Sequence, residues 1–418
     1  MPFIILWIVL GFILAMSALL RQSWITGQTA FTGPWFVSLT ALWAYPSSWK
    51  FISFDAAALI ISAHTFFFIS SFVASNVFWR REEVIPKTFI ISEDYLLSLR
   101  QIFWPFIIIG LAGSWLTVAS TGALGSYQEN ELIITRSLII TKDIHIPMYQ
   151  RLMSNFLYPA SLLGALCFVF SKGRRWSYAY LFLPIMGIII YSFAMGGRGA
   201  ILIGSNLIFW AFMITGKTNR PVESKKLNLV MVLIGLGLLI GWYFALIVST
   251  RLGSSPALIF ESLYQYLIGP VPSFSKWLAF HDLPLGKIDF SDISFVRELL
   301  HLGGIVKERD IGNHIAYIPF QFNIFTSLAE HLRDFGLTGA FIISALLGSL
   351  SAVLENKDLS AQMIGVRATF YAYLSFTLFA DLAYLSVGWW LTLFTIILTG
   401  LYCTFFGKST LQSVSQQV

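Results

Sequence analysis

Charged side chains are scarce in this sequence, and their scarcity excludes an ordinary soluble protein. Lys, Arg, Asp and Glu make up 11% of the 418 residues, whereas soluble globular domains carry about 25%. Hydrophobic residues account for 56%, and the mean hydropathy is +0.74. A soluble core does not absorb so many apolar side chains, so lipid must solvate a large share of them. The composition therefore predicts a polytopic integral membrane protein.

Cysteines and ligand-binding motifs are also few. The two cysteines, Cys167 and Cys403, lie in apolar runs, which excludes a disulfide framework and a zinc site of paired cysteines. The sequence contains neither G-x-x-x-x-G-K-[ST] nor H-E-x-x-H, so it indicates neither a P-loop ATPase nor a zinc protease. The net charge is +6, but no basic stretch is dense enough to predict nucleic-acid binding. We expect no metal ion, no cofactor and no nucleic-acid partner.

Long apolar runs predict the architecture, because a membrane span needs about 20 mainly apolar residues. The fold class expected from them is all-α, with about eleven transmembrane helices and one long, partly helical periplasmic loop. That topology divides the chain into an N-terminal bundle (1–249), the loop (250–335) and C-terminal helices (336–418). The eleven predicted spans are 3–20, 33–49, 56–78, 102–122, 152–170, 179–196, 199–215, 227–249, 336–354, 366–385 and 388–406.

Lys and Arg residues in short loops predict the orientation, since they accumulate on the cytoplasmic side. They cluster after the third, fifth and seventh spans, at Arg80, Arg81, Lys87 and Arg100, at Lys172, Arg174 and Arg175, and at Lys217, Arg220, Lys225 and Lys226. If the spans alternate, all three loops lie on one side. Arg21 and the loop at 355–358 then also face the cytoplasm, and residues 250–335 face outward.

The external segment 250–335 contains four of the six histidines. Within it, residues 256–280 carry Phe260, Leu263, Leu267 and Phe274 at helical spacing, which predicts a helix lying along the membrane surface. A second helical stretch at 316–333 is expected to return the chain to the bilayer. His64 lies in an apolar run outside this segment and is expected to pack against a neighbouring helix.

Two arginines next to apolar spans are candidate substrate-binding residues. Arg198 lies in a Gly-Gly-Arg-Gly hairpin at 196–199, where the glycines allow close backbone approach. Arg251 follows the eighth predicted span. Two guanidinium groups suit one task, which is the forked, charge-assisted binding of a diphosphate. The alternatives are a tight turn whose arginine reaches the lipid headgroups, and an interfacial anchor.

A second candidate group follows Arg251. Tyr264 and Tyr266 are suited to stacking on sugar rings or to hydrogen bonding sugar hydroxyls. Gly269-Pro270 is expected to break the helix and set a turn. The alternative is a pair of interfacial tyrosines followed by a helix stop.

The third candidate group lies just before the ninth predicted span. Glu330 and Asp334 are four residues apart, on one helical face, and His331 and Asp334 are three apart. Either arrangement supplies a general base for a hydroxyl group, so Glu330, His331 and Asp334 are the predicted catalytic residues. The alternative is solvation at the start of a span, with Asp334 as the N-cap of a helix that begins near Phe335.

These motifs together resemble the Wzy-type O-antigen polymerases, which polymerise oligosaccharide repeat units. The resemblance rests on the Gly-Gly-Arg-Gly hairpin at 196–199, on Tyr266-x-x-Gly-Pro270, and on Thr326 with Asp334-Phe-Gly-x-x-Gly339 before a span. As architecture it covers most of the chain, and as motif identity about ten positions. The Glu330-His331 pair is not a family-wide feature, so the resemblance does not assign the base.

The resemblance implies a metal-independent, inverting glycosyltransferase at the periplasmic face of the bacterial inner membrane. The growing glycan would pass from undecaprenyl diphosphate to the non-reducing end of a lipid-linked repeat unit. Arg198 and Arg251 would hold the diphosphate, and Tyr264, Tyr266 and Thr326 would contact substrate. The expected partners are the lipid-linked oligosaccharide, membrane lipids and a polysaccharide chain-length regulator. The alternatives are an O-antigen ligase, a lipid-linked oligosaccharide transporter and a scaffold protein.

Overall fold

A computed structural model describes much of the chain. The described residues are 2–21, 23–44, 52–78, 93–122, 146–171, 175–195, 199–218, 237, 241, 256–280, 316–318, 320–322, 326–355, 361–382 and 386–405. The helices are α1 (Pro2–Arg21), α2 (Gly27–Ala44), α3 (Phe54–Phe78), α4 (Glu93–Thr121), α5 (Met148–Asn155), α6 (Leu157–Phe170), α7 (Ala179–Ala194), α8 (Gly199–Thr218), α9 (Pro256–Ile268), α10 (Pro270–Phe280), α11 (Ser327–Leu354), α12 (Ala361–Phe376) and α13 (Val387–Phe405). A short 3-10 helix spans Arg175–Tyr178, and the strands are β1 (Ala316–Ile318) and β2 (Phe320–Phe322).

The predicted helical class is confirmed, and the architecture is compatible with a membrane protein. Within the described ranges, 5 helices are long and apolar enough to cross a bilayer. They are Pro2–Arg21, Phe54–Val77, Tyr95–Thr121, Met148–Phe170 and Ser327–Leu354. The number of spans predicted from the sequence is larger, and it stays a prediction, as does the periplasmic loop. The predicted span 227–249 lies outside the described residues except for Gly237 and Gly241.

Two predicted elements end or begin elsewhere. The expected helix at 316–333 is wrong in its first part, because β1 and β2 pair antiparallel there and α11 begins only at Ser327. Pro319 follows β1 in the sequence, and a proline does not continue a helix. The expected span 366–385 is interrupted, since α12 ends at Phe376 and a turn follows.

The described residues group into two compact units. The first comprises Met1–Glu82, Tyr264–Lys357 and Tyr373–Leu385, and the second comprises Glu83–Leu263, Asp358–Ala372 and Ser386–Val418. These units are defined by packing, whereas the predicted boundaries at 249/250 and 335/336 were defined by membrane topology. The topological division therefore stays a prediction.

The core of the first unit forms where α1, α2, α3, α10 and α11 meet. Trp35, Phe67 and Phe274 are among its largest fully buried side chains. The helix break predicted at Gly269-Pro270 is confirmed, because α9 ends at Ile268 and α10 begins at Pro270. The predicted common face of 256–280 is wrong, since Phe260 is 73% exposed while Phe274 is 0% exposed. The break separates the two residues, so they no longer follow one helical period.

Helices α3 and α11 pack with their backbones in close approach. A Cβ atom on Gly348 would lie 2.2 Å from the carbonyl oxygen of Phe67. Small residues at such a crossing let two apolar helices make van der Waals contact along their length, which is how helices associate in a lipid environment. As predicted, His64 in α3 packs against a neighbouring helix. Its Nδ1 lies 2.9 Å from Thr32 Oγ1 in α2.

Helix α11 is divided by a break at Gly336. This glycine has φ 66° and ψ −173°, a backbone conformation that is nearly exclusive to glycine. The segment Ser327–Phe335 therefore leaves the axis of the following apolar segment. The charged residues of α11 and its histidine all precede the break, and Glu355 follows the last residue of the helix.

Replacing Gly336 by alanine is expected to destabilise the first unit by about 1–3 kcal/mol, because a Cβ atom strains this conformation. Gly33→Ala in α2 is the matched control, since the nearest neighbour of its added Cβ is Thr29 Cγ2 at an ordinary 3.7 Å. The control is expected to be neutral or slightly stabilising. Thermal unfolding of both purified variants in detergent measures the difference. Equal unfolding temperatures would contradict the conformation assigned to Gly336.

Candidate active site

The candidate active site of the first unit forms where the start of α11 meets the turn that follows α12. The backbone N–H of Ser327 donates to the carbonyl oxygen of Thr377 over 2.9 Å. The indole Nε1 of Trp35, from α2, lies 3.4 Å from the hydroxyl of the same threonine. These contacts fix the first turn of α11 beside residues 377–381, which brings two segments distant in sequence into one cluster.

Asp381 is the centre of this cluster. Its Oδ2 lies 2.7 Å from His331 Nε2 and accepts a hydrogen bond of 3.0 Å from the Tyr373 hydroxyl. Its backbone N–H donates to Glu330 Oε2 over 2.9 Å. The side chain of Asp381 is only 2% exposed, and His331 is 4% exposed. One residue therefore orients both of the adjacent predicted catalytic residues, one through its carboxylate and one through its backbone.

The contact with Asp381 sets the tautomer of His331. An ionised carboxylate only accepts hydrogen bonds, so Nε2 must carry the proton that bridges to Oδ2. In the neutral imidazole Nδ1 is then the acceptor.

Glu330 is the more accessible of the two. It is half-buried, and its Oε2 is held by the backbone of Asp381. Its other oxygen, Oε1, has no hydrogen-bond partner within the described part of the chain. A carboxylate with one oxygen held by a backbone N–H, and the other without a partner among the described residues, suits a general base.

Asp334 contacts the neighbouring Arg333. Arg333 Nε donates to its Oδ1 over 2.8 Å, and Arg333 Nη2 lies 3.3 Å from its Oδ2. The expected alternative, in which Asp334 is the N-cap of a helix that begins near Phe335, stays a prediction, because a second helical segment follows the break at Gly336. His331, three residues before Asp334, contacts Asp381. Asp334 thus fixes a neighbouring guanidinium, and its catalytic role stays a prediction.

Thr326 precedes α11 in the N-cap position. Its side chain is 0% exposed and makes no capping hydrogen bond. Its hydroxyl has no partner among the residues that the structure describes. The predicted contact between Thr326 and substrate is not tested by this geometry and stays a prediction.

The two tyrosines of α9 are both half-buried. Tyr264 donates its hydroxyl to the carbonyl oxygen of Ala41 at the end of α2, so it ties α9 to α2. It also packs against the core of the first unit. Tyr266 lies two residues further along the same helix. This location explains Tyr264 structurally, and sugar binding by either residue stays a prediction.

Arg198 and Arg251 lie outside the described residues. Helix α7 ends at Ala194 and α8 begins at Gly199, so Arg198 falls in the sequence between two apolar helices. The roles assigned to these two arginines by resemblance stay predictions.

Asp381 and Tyr373 are the residues that the sequence reasoning missed. Both lie in the predicted span 366–385, and Asp381 is 50 positions after His331. One signal was available, because Asp381 is an acidic residue inside an otherwise apolar run. Such residues in spans face a partner or a cavity, and they mark functional sites by default.

Known proteins and metal-site geometry do not identify the site. Comparisons of the chain with protein-family models, with curated proteins and with solved structures find no match. Among the residues that the structure describes, no three His, Cys, Asp or Glu side chains are grouped to hold a metal ion. The functional argument therefore depends on the cluster around Asp381 and on the sequence motifs.

Proposed function

We propose that the chain is a membrane glycosyltransferase that polymerises lipid-linked oligosaccharide repeat units. The growing glycan is transferred from undecaprenyl diphosphate to the non-reducing end of a lipid-linked repeat unit, at the periplasmic face of the inner membrane. The observation that carries this proposal is the carboxylate of Glu330, held by Asp381 N–H at 2.9 Å with its second oxygen unpartnered among the described residues. A positioned base that accepts the proton of the attacking hydroxyl group accelerates glycosyl transfer.

In the proposed reaction Glu330 Oε1 accepts the proton of the attacking sugar hydroxyl. The hydroxyl oxygen forms a bond to the anomeric carbon of the donor glycan. The bond from that carbon to the diphosphate breaks, and undecaprenyl diphosphate leaves with the electron pair. Attack from the face opposite the leaving group inverts the anomeric configuration. By resemblance, Arg198 and Arg251 stabilise the departing diphosphate with charge-assisted hydrogen bonds.

His331 and Asp381 support the base in this scheme. The 2.7 Å contact between them and the Tyr373 hydrogen bond to the same oxygen hold the side chain of Asp381 in one orientation. Its backbone N–H then keeps Glu330 aligned. An imidazole beside the base also offers a second group to receive the proton, since Nδ1 is the acceptor of the neutral ring.

A second candidate is a transporter of lipid-linked oligosaccharides. The predicted spans carry few charged residues, which disfavours a transporter. However, ionisable residues buried in apolar helices commonly form proton relays in transporters. His331, Asp381 and His64 are all at most 4% exposed, and this burial is the specific observation that favours transport.

The test is the surface polysaccharide of a bacterial strain whose only copy of the chain carries Asp381→Asn. We expect single repeat units attached to the lipid core, with no ladder of longer polymers, because a neutral amide replaces the carboxylate that contacts His331 and Tyr373 beside the base. If the chain is instead a ligase, the variant leaves no glycan attached to the lipid core, and polymer accumulates on the carrier lipid. If the chain is a transporter, the variant leaves unpolymerised carrier-linked repeat units on the cytoplasmic leaflet. An unchanged ladder would overturn the assignment of this cluster. Arg198→Ala is expected to give the same phenotype as Asp381→Asn.

A further inference from the structure

The second unit contains a half-buried arginine that has no counter-ion among the residues that the structure describes. Arg100 lies in the second turn of α4, and its Nη2 donates to Ser171 Oγ at the end of α6 over 2.9 Å. Its guanidinium carbon lies 6.0 Å from the ring centroid of Tyr180 in α7. Three helices thus meet at this side chain. The site comprises Arg100, Ser171 and Tyr180.

The charge of Arg100 is not neutralised within the described part of the chain. Its Nε is buried and has no hydrogen-bond acceptor, and it forms no ion pair there. Two other arginines contrast with it, since Arg21 lies 2.9 Å from Glu355 and Arg333 lies 2.8 Å from Asp334. A guanidinium has five N–H donors, and a single serine satisfies few of them. Partial burial of an unpaired cation is costly, so an anionic group should complete this site.

Aromatic side chains around Arg100 indicate its depth in the membrane. The rings of Phe103 and Trp104, on the same helix, contact Tyr180 at centroid distances of 5.0 and 6.1 Å. Trp104 is 44% exposed and Tyr178 is 53% exposed. Exposed Trp and Tyr concentrate at the level of the lipid headgroups. The chain also continues from Ser171 into Lys-Gly-Arg-Arg, without an acidic residue.

We propose that Arg100, Ser171 and Tyr180 form a binding site for the phosphate of an anionic lipid headgroup. The guanidinium supplies charge-assisted N–H donors to the phosphate oxygens. Ser171 fixes the guanidinium, because its own proton goes to the carbonyl oxygen of Cys167 over 2.6 Å and its oxygen accepts from Arg100. The ring of Tyr180 covers one face of the guanidinium through a cation–π contact. On the predicted topology this headgroup belongs to the cytoplasmic leaflet, where basic sites between helices bind anionic lipids.

The test is native mass spectrometry of the full chain, purified in a neutral detergent and titrated with phosphatidylglycerol or phosphatidylcholine. The wild-type chain is expected to retain one phosphatidylglycerol in preference to phosphatidylcholine. Arg100→Gln should weaken the retention of phosphatidylglycerol by at least about tenfold, the loss of one charge-assisted contact. Arg151→Gln is the matched control, because Arg151 is an exposed arginine of the same unit, and it should bind like the wild type. Equal retention in all three proteins would overturn the proposal.

Two further experiments distinguish a lipid site from a site for a free anion, and binding loss from a folding defect. Inorganic phosphate at the same concentrations should not displace phosphatidylglycerol, and full displacement would show a site for a free anion, contrary to the proposal. If Arg100→Gln does not fold, Ser171→Ala provides the second variant, since it frees the guanidinium without removing the charge. It should lower retention severalfold, and unchanged retention would again overturn the site.

Discussion

Replacing Glu330 by glutamine is expected to slow glycan polymerisation by about 10²–10⁴-fold, the usual contribution of a general base. Glutamine keeps an oxygen that accepts the Asp381 N–H, now donated over 2.9 Å, so the local geometry persists. It does not accept a proton from a sugar hydroxyl. The substitution therefore removes the chemistry at Glu330 while leaving the packing of α11 in place.

The measurement is the rate at which the purified chain extends lipid-linked repeat units in vesicles, with products separated by length. Asp55→Asn is the matched control, since Asp55 is an exposed carboxylate of the same unit in the first turn of α3. It should keep the wild-type rate, and both variants should unfold at similar temperatures. A Glu330→Gln variant that polymerises at the wild-type rate would exclude Glu330 as the base. In that case His331, whose Nδ1 is the acceptor of its ring, becomes the next residue to test.

The helices were largely predictable because apolar runs of sufficient length have few alternatives. A helix lies at each predicted span that the structure describes, although its ends differ. The second predicted span, 33–49, corresponds to α2 at Gly27–Ala44. Hydropathy alone did not show this shift. A residue at the end of another helix binds the start of α2: the backbone N–H of Gly27 donates to Glu355 Oε1, at the end of α11, over 2.5 Å.

Only part of the candidate site could be predicted from the spacing of residues along the sequence. Glu330 and His331 were recognisable because they precede a long apolar run. Their partner Asp381 comes from another segment, and helical periodicity carries no information about such contacts. The same limit explains Asp334, which spacing paired with His331 and which the structure pairs with Arg333. Adjacent residues on a helix do not usually face each other, so this pairing depends on the local geometry before the break at Gly336.

The far end of α11 carries a second buried charged group, formed by Arg21 and Glu355. These residues were predicted to share one side of the membrane, and they are in contact at the ends of α1 and α11. Arg21 Nη1 lies 2.9 Å from Glu355 Oε2, although this N–H is not aligned for a hydrogen bond. Arg21 Nη2 donates to the carbonyl oxygen and to the hydroxyl of Ser71, each over 3.1 Å. Glu355 Oε1 accepts from Gly27 N–H and from Ser351 Oγ.

Glu355→Leu is therefore expected to destabilise the chain by about 3–5 kcal/mol, the cost of leaving one partner of a buried ion pair uncompensated. The side chains of Arg21 and Glu355 are only 12% and 5% exposed, so water compensates little. The variant also leaves the Gly27 N–H and the Ser351 hydroxyl without their acceptor. Denaturant or thermal unfolding of the purified protein in detergent measures the loss.

Arg21→Met and the double variant Arg21→Met/Glu355→Leu complete the thermodynamic cycle. Because the double variant leaves no unpaired charge, it should be more stable than Glu355→Leu alone. Arg151→Met, at an exposed arginine, is the control and should change stability by less than about 0.5 kcal/mol. If the two single substitutions instead add without coupling, the ion pair does not hold α1 and α11 together. The close approach of Gly348 to α3 would then be the principal contact fixing α11 in the first unit.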